Sequence, residues 1–290
     1  MKKIAFLTSK ILRNLIPDEQ PLVQEFLSRR YSIEPIIWDQ HKNWNEFDFV
    51  IVRNTWDYID KYDLFLQVLK EIKASSAKLI NPYETLVWNS NKTYLEELTL
   101  KGVPVVTSFQ IKQLNLERLQ EILMMVKTED FVIKPTVGAG GQDTFRMKTT
   151  LTTEEQEMLL KALGGRDVLI QPFIQSILTE GEYSYVFVNK KFSHAILKTA
   201  KAGEFRIHEE FGGRVDSYRP THQEIEEVTS ILNKIPYPMF YCRIDVARNE
   251  KGKLVLMELE AVEPQLFFTW SSNSANLFVD EFQKSYIYKK

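Results

Sequence analysis

The sequence has 290 residues, of which 44% are hydrophobic and 26% are charged, a composition typical of a folded globular protein rather than a disordered one. Its 37 basic and 39 acidic residues nearly cancel, so no global charge favours binding to nucleic acid or to an anionic membrane. The single cysteine, Cys242, excludes an intramolecular disulfide framework and belongs to no Cys/His cluster that could hold zinc. Because no apolar run approaches the roughly 18 residues that span a bilayer, we expect a cytoplasmic protein without a membrane partner.

Strands and helices alternate at the start of the chain. The hydrophobic pattern predicts strands at residues 4–8, 33–38 and 47–53, with an amphipathic helix at residues 21–30. This alternation is typical of a small parallel α/β domain, in which ligands bind at the carboxyl ends of the strands. The segment RNTWDY, residues 53–58, follows the third strand and is therefore a candidate site.

A second unit, of α+β type, is predicted after the turn at Asn81-Pro82, with a domain boundary near residue 90. Its predicted helices are at residues 90–102, 116–127 and 153–163, and its predicted strands are at residues 105–111, 131–135, 144–147 and 168–171. We therefore divide the chain into an N-terminal domain at residues 1–90, a middle subdomain at 91–180 and a C-terminal subdomain at 181–290.

Two hairpins are predicted in the C-terminal subdomain. The first pairs residues 182–188 with 192–198, and the second pairs residues 241–248 with 253–260. Between them, the capping box Thr221-x-x-Glu224 begins an amphipathic helix.

The second hairpin carries a charged face, because strand side chains alternate between the two sides of a sheet. Arg243 and Asp245 share one face of the first strand, and Glu258 and Glu260 share a face of the second, with Met257 on the opposite face. Adjacent carboxylates repel one another unless a cation compensates, and their hard oxygen donors suit Mg²⁺ or Mn²⁺. The alternative interpretation is a solvated polar face.

Two further segments are candidate ligand contacts. Lys134 lies near the end of a buried strand, before the glycine-rich residues 138–141, a combination that suits phosphate oxygens. This loop matches neither the P-loop nor the dinucleotide-binding pattern, and a tight hairpin turn would also explain its glycines. The apolar residues 171–174 could contact an adenine edge and Glu182 a ribose, although a linker between two units is the alternative.

In chain order, these segments resemble the ATP-grasp superfamily over roughly residues 90–265. The resemblance implies an α/β and α+β fold in which two α+β subdomains enclose a nucleotide behind an N-terminal parallel α/β domain. It implies nucleotide contacts by Lys92, Lys134, Gly138, Gly140, Gly141, Gln171, Phe173, Ile174 and Glu182. It also implies metal ligation by Asp245, Glu258 and Glu260, where many relatives have Asn at the last position.

Two arginines take catalytic roles in the same comparison. Arg243 resembles the arginine that stabilises the transferred phosphate and the tetrahedral intermediate in relatives, and Arg206 resembles a second arginine that contacts phosphate. Residues 136–143 resemble the loop that closes over the phosphates.

The segments RNTWDY, Trp88-Asn89 and ELEAVEP (residues 258–264) are similar to a narrower, glutathione synthetase-like group. This group includes the ring-closing ligase of D-cycloserine biosynthesis, the O-ureido-D-serine cyclo-ligase. The resemblance implies an ADP-forming, Mg²⁺-dependent ligase that activates a small-molecule carboxylate as an acyl phosphate and joins it to an amine, and it suggests a homodimer. A non-catalytic ATP-binding regulator and an ATP-grasp kinase remain as alternatives.

The acceptor pocket is predicted to contain Arg53, Trp56, Asp57, His194 and Lys198. Arg53 could pair with a substrate carboxylate and Asp57 with an ammonium group, as an amino-acid substrate would require. The alternatives are that Arg53 pairs with Asp57, that Trp56 is a core residue and that His194 is an ordinary strand residue.

Overall fold

The computed structural model describes residues 1–288, so the last two residues of the predicted C-terminal subdomain lie outside it. The first sheet is parallel, with the strand order β2-β1-β3-β4. Its strands are β1 (Lys3–Thr8), β2 (Ser32–Ile37), β3 (Phe49–Asn54) and β4 (Lys78–Ile80). Its helices are α1 (Gln20–Ser28), α2 (Tyr62–Ala74) and α3 (Tyr83–Asn89). Buried apolar side chains on α1 and α2 cover the sheet, as expected for a parallel α/β unit.

The second sheet is antiparallel, with the order β5-β8-β6-β7. Its strands are β5 (Phe109–Ile111), β6 (Asp130–Pro135), β7 (Phe145–Lys148) and β8 (Val168–Pro172). The helices of this part are α4 (Tyr94–Leu100), α5 (Leu116–Met125) and α6 (Thr153–Leu163). A capping box between Thr152 and Glu155 begins α6, because each side chain accepts a backbone N–H of the other residue.

The third sheet is antiparallel and has the order β11-β10-β9-β12-β13. Its strands are β9 (Glu182–Val188), β10 (Lys191–Thr199), β11 (Arg214–Tyr218), β12 (Tyr241–Arg248) and β13 (Leu254–Glu260). The remaining helices are α7 (Ser176–Thr179), α8 (His222–Asn233) and α9 (Ser274–Tyr286). Buried Val228, Ile231 and Leu232 of α8 pack in the core beneath this sheet.

Helix α9 returns to the N-terminal part of the chain. Phe278 and Phe282 pack edge-to-face on Phe26 of α1, with ring centroids 6.2 and 5.2 Å away. Arg29, just after α1, donates a hydrogen bond to Asp280 of α9. The core around β1 and β3 is therefore completed by a helix from the far end of the described chain.

The predicted fold class is confirmed, and both predicted hairpins are present with bounds within one residue of those expected. The predicted strand at residues 105–111 is shorter, since β5 begins at Phe109, and α4 begins later than the predicted helix at residues 90–102. The pattern did not reveal α2, α3, β4, α7, β11 or α9. Within residues 1–288, none of the helices combines the length and the apolar character required to cross a bilayer.

The expectation for Met257 is wrong. Asp245 pairs with Glu258, but the next residue, Val246, pairs with Leu256, so Met257 is an extra residue on β13. Such a bulge interrupts the strict alternation of side chains. Met257 consequently lines the same cleft as Glu258 rather than pointing away from it.

Candidate active site

A cleft lies between the second and third sheets, and one end is closed by residues that follow β3. Most of the residues expected from the sequence line it. They are Trp56, Lys92, Lys134, Gly138, Gly140, Gly141, Gln171, Phe173, Ile174, Glu182, Lys198, Arg206, Arg243, Asp245, Glu258 and Glu260. Segments far apart in the sequence thus meet in one place.

The register of the third sheet explains why its charges converge. Lys198 of β10 lies opposite Glu182 of β9, and Asp245 of β12 lies opposite Glu258 of β13. Arg243, two positions before Asp245, lies opposite Glu260. Because residues two apart on a strand share a face, these pairs line one side of the sheet.

Asp245 is the most strongly held carboxylate of this face. Arg243 Nε lies 2.9 Å from its Oδ1, and Ser184 Oγ donates to the same oxygen at 2.5 Å. Burial favours the neutral acid, but the charges of Arg243 and Lys198 outweigh it and hold the pKa of Asp245 well below its usual range. This carboxylate is therefore ionised throughout the physiological range.

Glu258 is the meeting point of two lysines. Lys92 Nζ lies 3.0 Å from Glu258 Oε1 and Lys134 Nζ lies 3.7 Å from Oε2. The two ammonium groups outweigh burial and lower the pKa of Glu258. Burial, together with the neighbouring Lys92, lowers the pKa of Lys134 despite the attraction of Glu258.

Two other carboxyl groups of this face are harder to ionise. Burial and the charges of Asp245 and Glu258 raise the pKa of Glu260 to about 7, although Arg243 donates a hydrogen bond to it. Burial also raises the pKa of Glu182, whose Oε1 lies 2.6 Å from Lys198 Nζ. Lys198 Nζ also lies 3.5 Å from Asp245 Oδ2, so Lys198 forms ion pairs with both Glu182 and Asp245. It therefore lies next to the predicted metal-binding carboxylates.

The donor chemistry of Asp245, Glu258 and Glu260 fits a hard divalent cation, since carboxylate oxygens are the ligands that Mg²⁺ and Mn²⁺ prefer. Their oxygens are neutralised here by basic side chains, and the described residues contain no group of three or more His, Cys, Asp or Glu already arranged as a metal site. A cation could enter once Lys92 and Lys134 turn to another anion, such as a phosphate.

The glycine-rich loop lies against a second covering segment. Gly140 and Gly141 have φ values of +60° and +67°, a region that favours glycine. A Cβ on Gly141 would lie 2.9 Å from Nδ1 of His208, which also lines the cleft. Lys92 donates to the carbonyl of Gly138 at 2.6 Å, so the loop is linked to the phosphate-binding lysines expected from the sequence.

Arg206 belongs to the same covering segment. Its guanidinium lies 3.6 Å from the centroid of the Phe211 ring, and its Nη2 donates to Glu204 Oε2 at 2.7 Å. Hydrogen bonds from Arg206 lower the pKa of Glu204 to about 2. Beside this segment, Phe173 and Ile174 supply an apolar wall of the cleft, and the Phe173 ring lies 6.3 Å from that of Phe205. The Gln171 amide donates a 2.9 Å hydrogen bond to Ser108.

Three residues of the predicted acceptor pocket lie outside the cleft. Arg53 is fully buried and donates to both oxygens of the equally buried Glu19, which corrects the expectation that it binds a substrate carboxylate. Asp57 accepts a 2.7 Å hydrogen bond from the Trp38 indole, which corrects its assignment to a substrate ammonium. His194, on β10, is hydrogen-bonded to Ser193 and does not line the cleft, so the structure does not bring it to the other residues of the predicted acceptor pocket.

The segment after β13 is held by side chains from distant parts of the chain. Six of the seven backbone carbonyls at residues 259–265 accept a side-chain hydrogen bond: Leu259 from Asn89, Ala261 from Asn81, Val262 from Tyr241, Glu263 from Trp56, Pro264 from Arg53 and Gln265 from Arg243. We call residues 259–265 the clamped segment. Two residues of the RNTWDY motif, Arg53 and Trp56, therefore hold the backbone of the clamped segment in place through hydrogen bonds to Pro264 and Glu263.

Sequence reasoning missed four residues of the site: Tyr58, Ser184, His208 and Glu263. Glu263 lines the cleft and is 8% exposed. Glu263 lies beyond the end of β13, so strand periodicity could not predict the direction of its side chain. The only sequence feature that could have indicated it was a carboxylate immediately before Pro264. Ser184 could have been found from its register, because it lies opposite Asp245 on β9.

Comparison with protein families gives two matches that together span most of the chain. Residues 4–81 match the N-terminal domain of D-cycloserine synthetase DcsG, and residues 101–283 match the prokaryotic glutathione synthetase ATP-grasp domain. The chain belongs to the glutathione synthetase-like ATP-grasp family. The family predicted from the sequence is thus confirmed.

Relatives of this ATP-grasp protein match between about three quarters and nearly all of its length. It is 25% identical over 289 residues to the cycloserine biosynthesis protein DcsG of Streptomyces lavendulae, covering 95% of this chain and 96% of that protein. It is 28% identical over 217 residues to a tetrahydromethanopterin:alpha-L-glutamate ligase of Methanocaldococcus jannaschii, covering 73% and 70%. The crystal structure of D-cycloserine synthetase DcsG superposes with a TM-score of 0.87 at 23% identity, covering 98% and 99% of the two chains.

The enzyme class predicted from the sequence is also confirmed by these relatives. This ATP-grasp protein is an ATP-dependent ligase of the class that forms carbon–nitrogen bonds. The cleft described above is its candidate active site.

Proposed function

We propose that this ATP-grasp ligase uses Mg²⁺ or Mn²⁺, converts ATP to ADP, activates a small carboxylic acid as its acyl phosphate and joins it to an amine. The observation that carries the proposal is the convergence of five basic side chains and four acidic ones beneath the glycine loop. These are Lys92, Lys134, Lys198, Arg206 and Arg243, with Glu182, Asp245, Glu258 and Glu260.

The basic side chains bind phosphate in this proposal. Lys92 and Lys134 share Glu258, so both ammonium groups already point to one position. Moving phosphoryl charge is stabilised mainly by such pre-arranged cations. Arg206 covers the phosphates from the segment that touches the glycine loop, and Gln171, Phe173, Ile174 and Glu182 hold the nucleoside.

Asp245, Glu258 and Glu260 would hold the divalent cation when it is bound. A divalent cation at carboxylates of this kind commonly bridges phosphate oxygens and neutralises their charge. Arg243 lies between Asp245 and Glu260, and it stabilises the oxyanion that forms when the amine attacks the acyl carbon. The loop at residues 136–143 excludes water, which would otherwise hydrolyse the acyl phosphate.

The substrates are amino-acid-like or peptide-like in this proposal. Support comes from the match to DcsG over nearly the whole chain, including the part that closes the acceptor end of the cleft. Trp56, at that end, is half-buried and lines the cleft. We expect the reaction to take place in the cytoplasm, and the homodimer stays a prediction.

The test measures ADP and free orthophosphate with ATP and Mg²⁺ across pools of amino acids, short peptides and amines. Equal amounts of ADP and orthophosphate that require one pool support the ligase. The Glu258→Gln variant serves as the blank, and Glu157→Gln on the exposed face of α6 serves as the matched control. A stable phosphorylated substrate in place of orthophosphate would establish the kinase, and ADP formation that ignores every pool would contradict the proposal.

A further inference from the structure

Glu263 differs from the other carboxylates of the cleft in having no cation. Within residues 1–288, no Lys, Arg or His nitrogen lies within 4.0 Å of its carboxyl oxygens. Glu182, Asp245, Glu258 and Glu260 each contact at least one basic side chain. At 8% exposure Glu263 is nevertheless buried, and ionised carboxylates are seldom buried without a partner.

The position of Glu263 is fixed by its backbone. Its carbonyl accepts a 3.0 Å hydrogen bond from Trp56 Nε1, and the carbonyl of the next residue, Pro264, accepts one from Arg53 at 3.0 Å. These hydrogen bonds hold the backbone of Glu263 at the wall of the cleft, which its side chain lines.

The surroundings of this carboxyl group are aromatic on one side and acidic on the other. Trp56 and Tyr58 line the same end of the cleft, and Tyr58 lies beside Glu263. Glu260 and Glu258 lie on the other side, and both make a further negative charge here unfavourable. A charge pair formed in such a water-poor corner is stronger than one at the surface.

We propose that Glu263 binds the protonated amino group of an amino-acid substrate, and so selects substrates with a free primary amine. This inference rests on the proposed ligase function and deepens it, because it names the substrate class and the group that recognises it. It also gives Glu263 the role that the sequence had assigned to Asp57, whose carboxylate is engaged by Trp38. An ammonium group would supply the positive charge that no basic side chain of residues 1–288 provides within 4.0 Å, together with hydrogen-bond donors beyond the Tyr58 hydroxyl.

Burial and the nearby Glu260 raise the pKa of Glu263 to about 8. This direction agrees with a site that lacks its cation, since a bound ammonium would favour the ionised carboxylate. The missing cation, the burial of the side chain and the fixed backbone of Glu263 support its role independently of this pKa.

The experiment measures ligand-induced thermal shifts in the presence of Mg²⁺ and ADP. The probes are the common L- and D-amino acids, each paired with its N-acetyl derivative, on the wild type, Glu263→Gln and the surface control Glu157→Gln. A ligand that binds the folded state raises the melting temperature according to its affinity. We expect at least one amino acid to stabilise the wild type and Glu157→Gln, its N-acetyl derivative to do so much less, and Glu263→Gln to bind it on the order of thirtyfold more weakly.

Three results would overturn the inference: equal binding of the acetylated compounds, unchanged binding in Glu263→Gln, or stabilisation of the wild type by no amino acid at all. The shift in melting temperature with ADP alone measures binding at the nucleotide site independently of the amino acid. If ADP stabilises Glu263→Gln as it does the wild type, the variant is folded and its loss of amine binding is specific. If ADP fails to stabilise the wild type, the proposed ligase function itself is wrong.

Discussion

The ammonium group of Lys92 lies 3.0 Å from Glu258 Oε1, and Lys134 reaches the other oxygen of the same carboxylate. The pair joins the segment before α4 to the edge strand β13 across the cleft. From the sequence alone, removing Glu258 would relieve repulsion among crowded carboxylates. The structure indicates the opposite for the nucleotide-free protein, because two lysines depend on that carboxylate.

Glu258→Gln is therefore expected to lower the free energy of unfolding by about 1–3 kcal/mol without nucleotide, since it leaves two buried ammonium groups poorly paired. ATP should restore part of this loss, because its phosphates replace the missing carboxylate. Urea denaturation with and without ATP measures both effects, and turnover should be abolished in either case. A variant more stable than the wild type would show that carboxylate repulsion dominates.

Lys134→Ala is expected to weaken ATP binding by about 1.5–3 kcal/mol, the usual contribution of a hydrogen bond to a charged group. Titration calorimetry measures this affinity directly. Lys161→Ala, on the exposed side of α6, is the matched control for the loss of one lysine. An unchanged affinity for ATP would remove Lys134 from the phosphate site.

Arg53 and Glu19 form a fully buried ion pair, and Arg53→Met is expected to destabilise the protein by about 3–5 kcal/mol, because it leaves Glu19 without a partner. The double variant Arg53→Met/Glu19→Met removes both charges and should regain most of that stability. Chemical denaturation of the two variants gives the comparison. If Arg53 instead contacted substrate, the single variant would keep its stability and raise only the KM.

Gly141→Ala is expected to impair closure of the glycine loop, since the added Cβ would press on His208 at 2.9 Å. Gly165→Ala is a matched control, because Gly165 also has a positive φ, of +75°, but has open space around it. Both changes incur roughly 1–2 kcal/mol of backbone strain. Rates of ADP formation should fall further in Gly141→Ala, and equal rates would show that the contact with His208 has no part in turnover.

The pH dependence of stability offers a test of Glu263. Burial raises its pKa in the folded protein to about 8 from an ordinary value of 4.5, so the folded state holds a proton that the unfolded state has lost. The stability that this proton represents is present below about pH 4.5 and disappears as the pH rises through about 8. Relative to Glu263→Gln, the ligand-free wild type should therefore lose melting temperature between pH 5 and 8.5. Parallel curves would show that the pKa of Glu263 is the same in the folded and unfolded states, which would contradict its elevation by burial.

The second hairpin shows how far local pattern predicts this fold. Alternating apolar residues located β12 and β13 and put Arg243 and Asp245 on one face of the first strand and Glu258 and Glu260 on one face of the second, because strand periodicity depends only on neighbours in sequence. The same rule failed at Met257, since the bulge is an insertion that periodicity cannot express. Helix α9 was not predicted from the sequence, although its buried residues Phe278, Val279 and Phe282 have the spacing of an amphipathic helix.

The residues of the predicted acceptor pocket were the least well predicted, since three of the five do not line the cleft. Arg53 forms its ion pair with Glu19, which lies just before α1 and far from Arg53 in the sequence. The local sequence pattern does not show that this segment folds back over β3, so it could not distinguish Glu19 from Asp57 as the partner. Glu263 carries no periodic signal, and its burial results from hydrogen bonds with residues some 200 positions away. The residues expected to contact a nucleotide all line the cleft, because their order and spacing along the chain could be compared with a known family. Their role in nucleotide binding stays a prediction.

The contact between α1 and α9 also bears on how the protein is made. Arg29 and Asp280 are 251 positions apart, so at translation rates of about 5–20 residues per second α1 waits roughly 13–50 s for its partner helix. During that interval Phe26 lacks the aromatic rings of Phe278 and Phe282. The apolar face around α1, β1 and β3 therefore stays uncovered until α9 has been made, and exposed apolar surface of this kind makes an incomplete chain prone to aggregate.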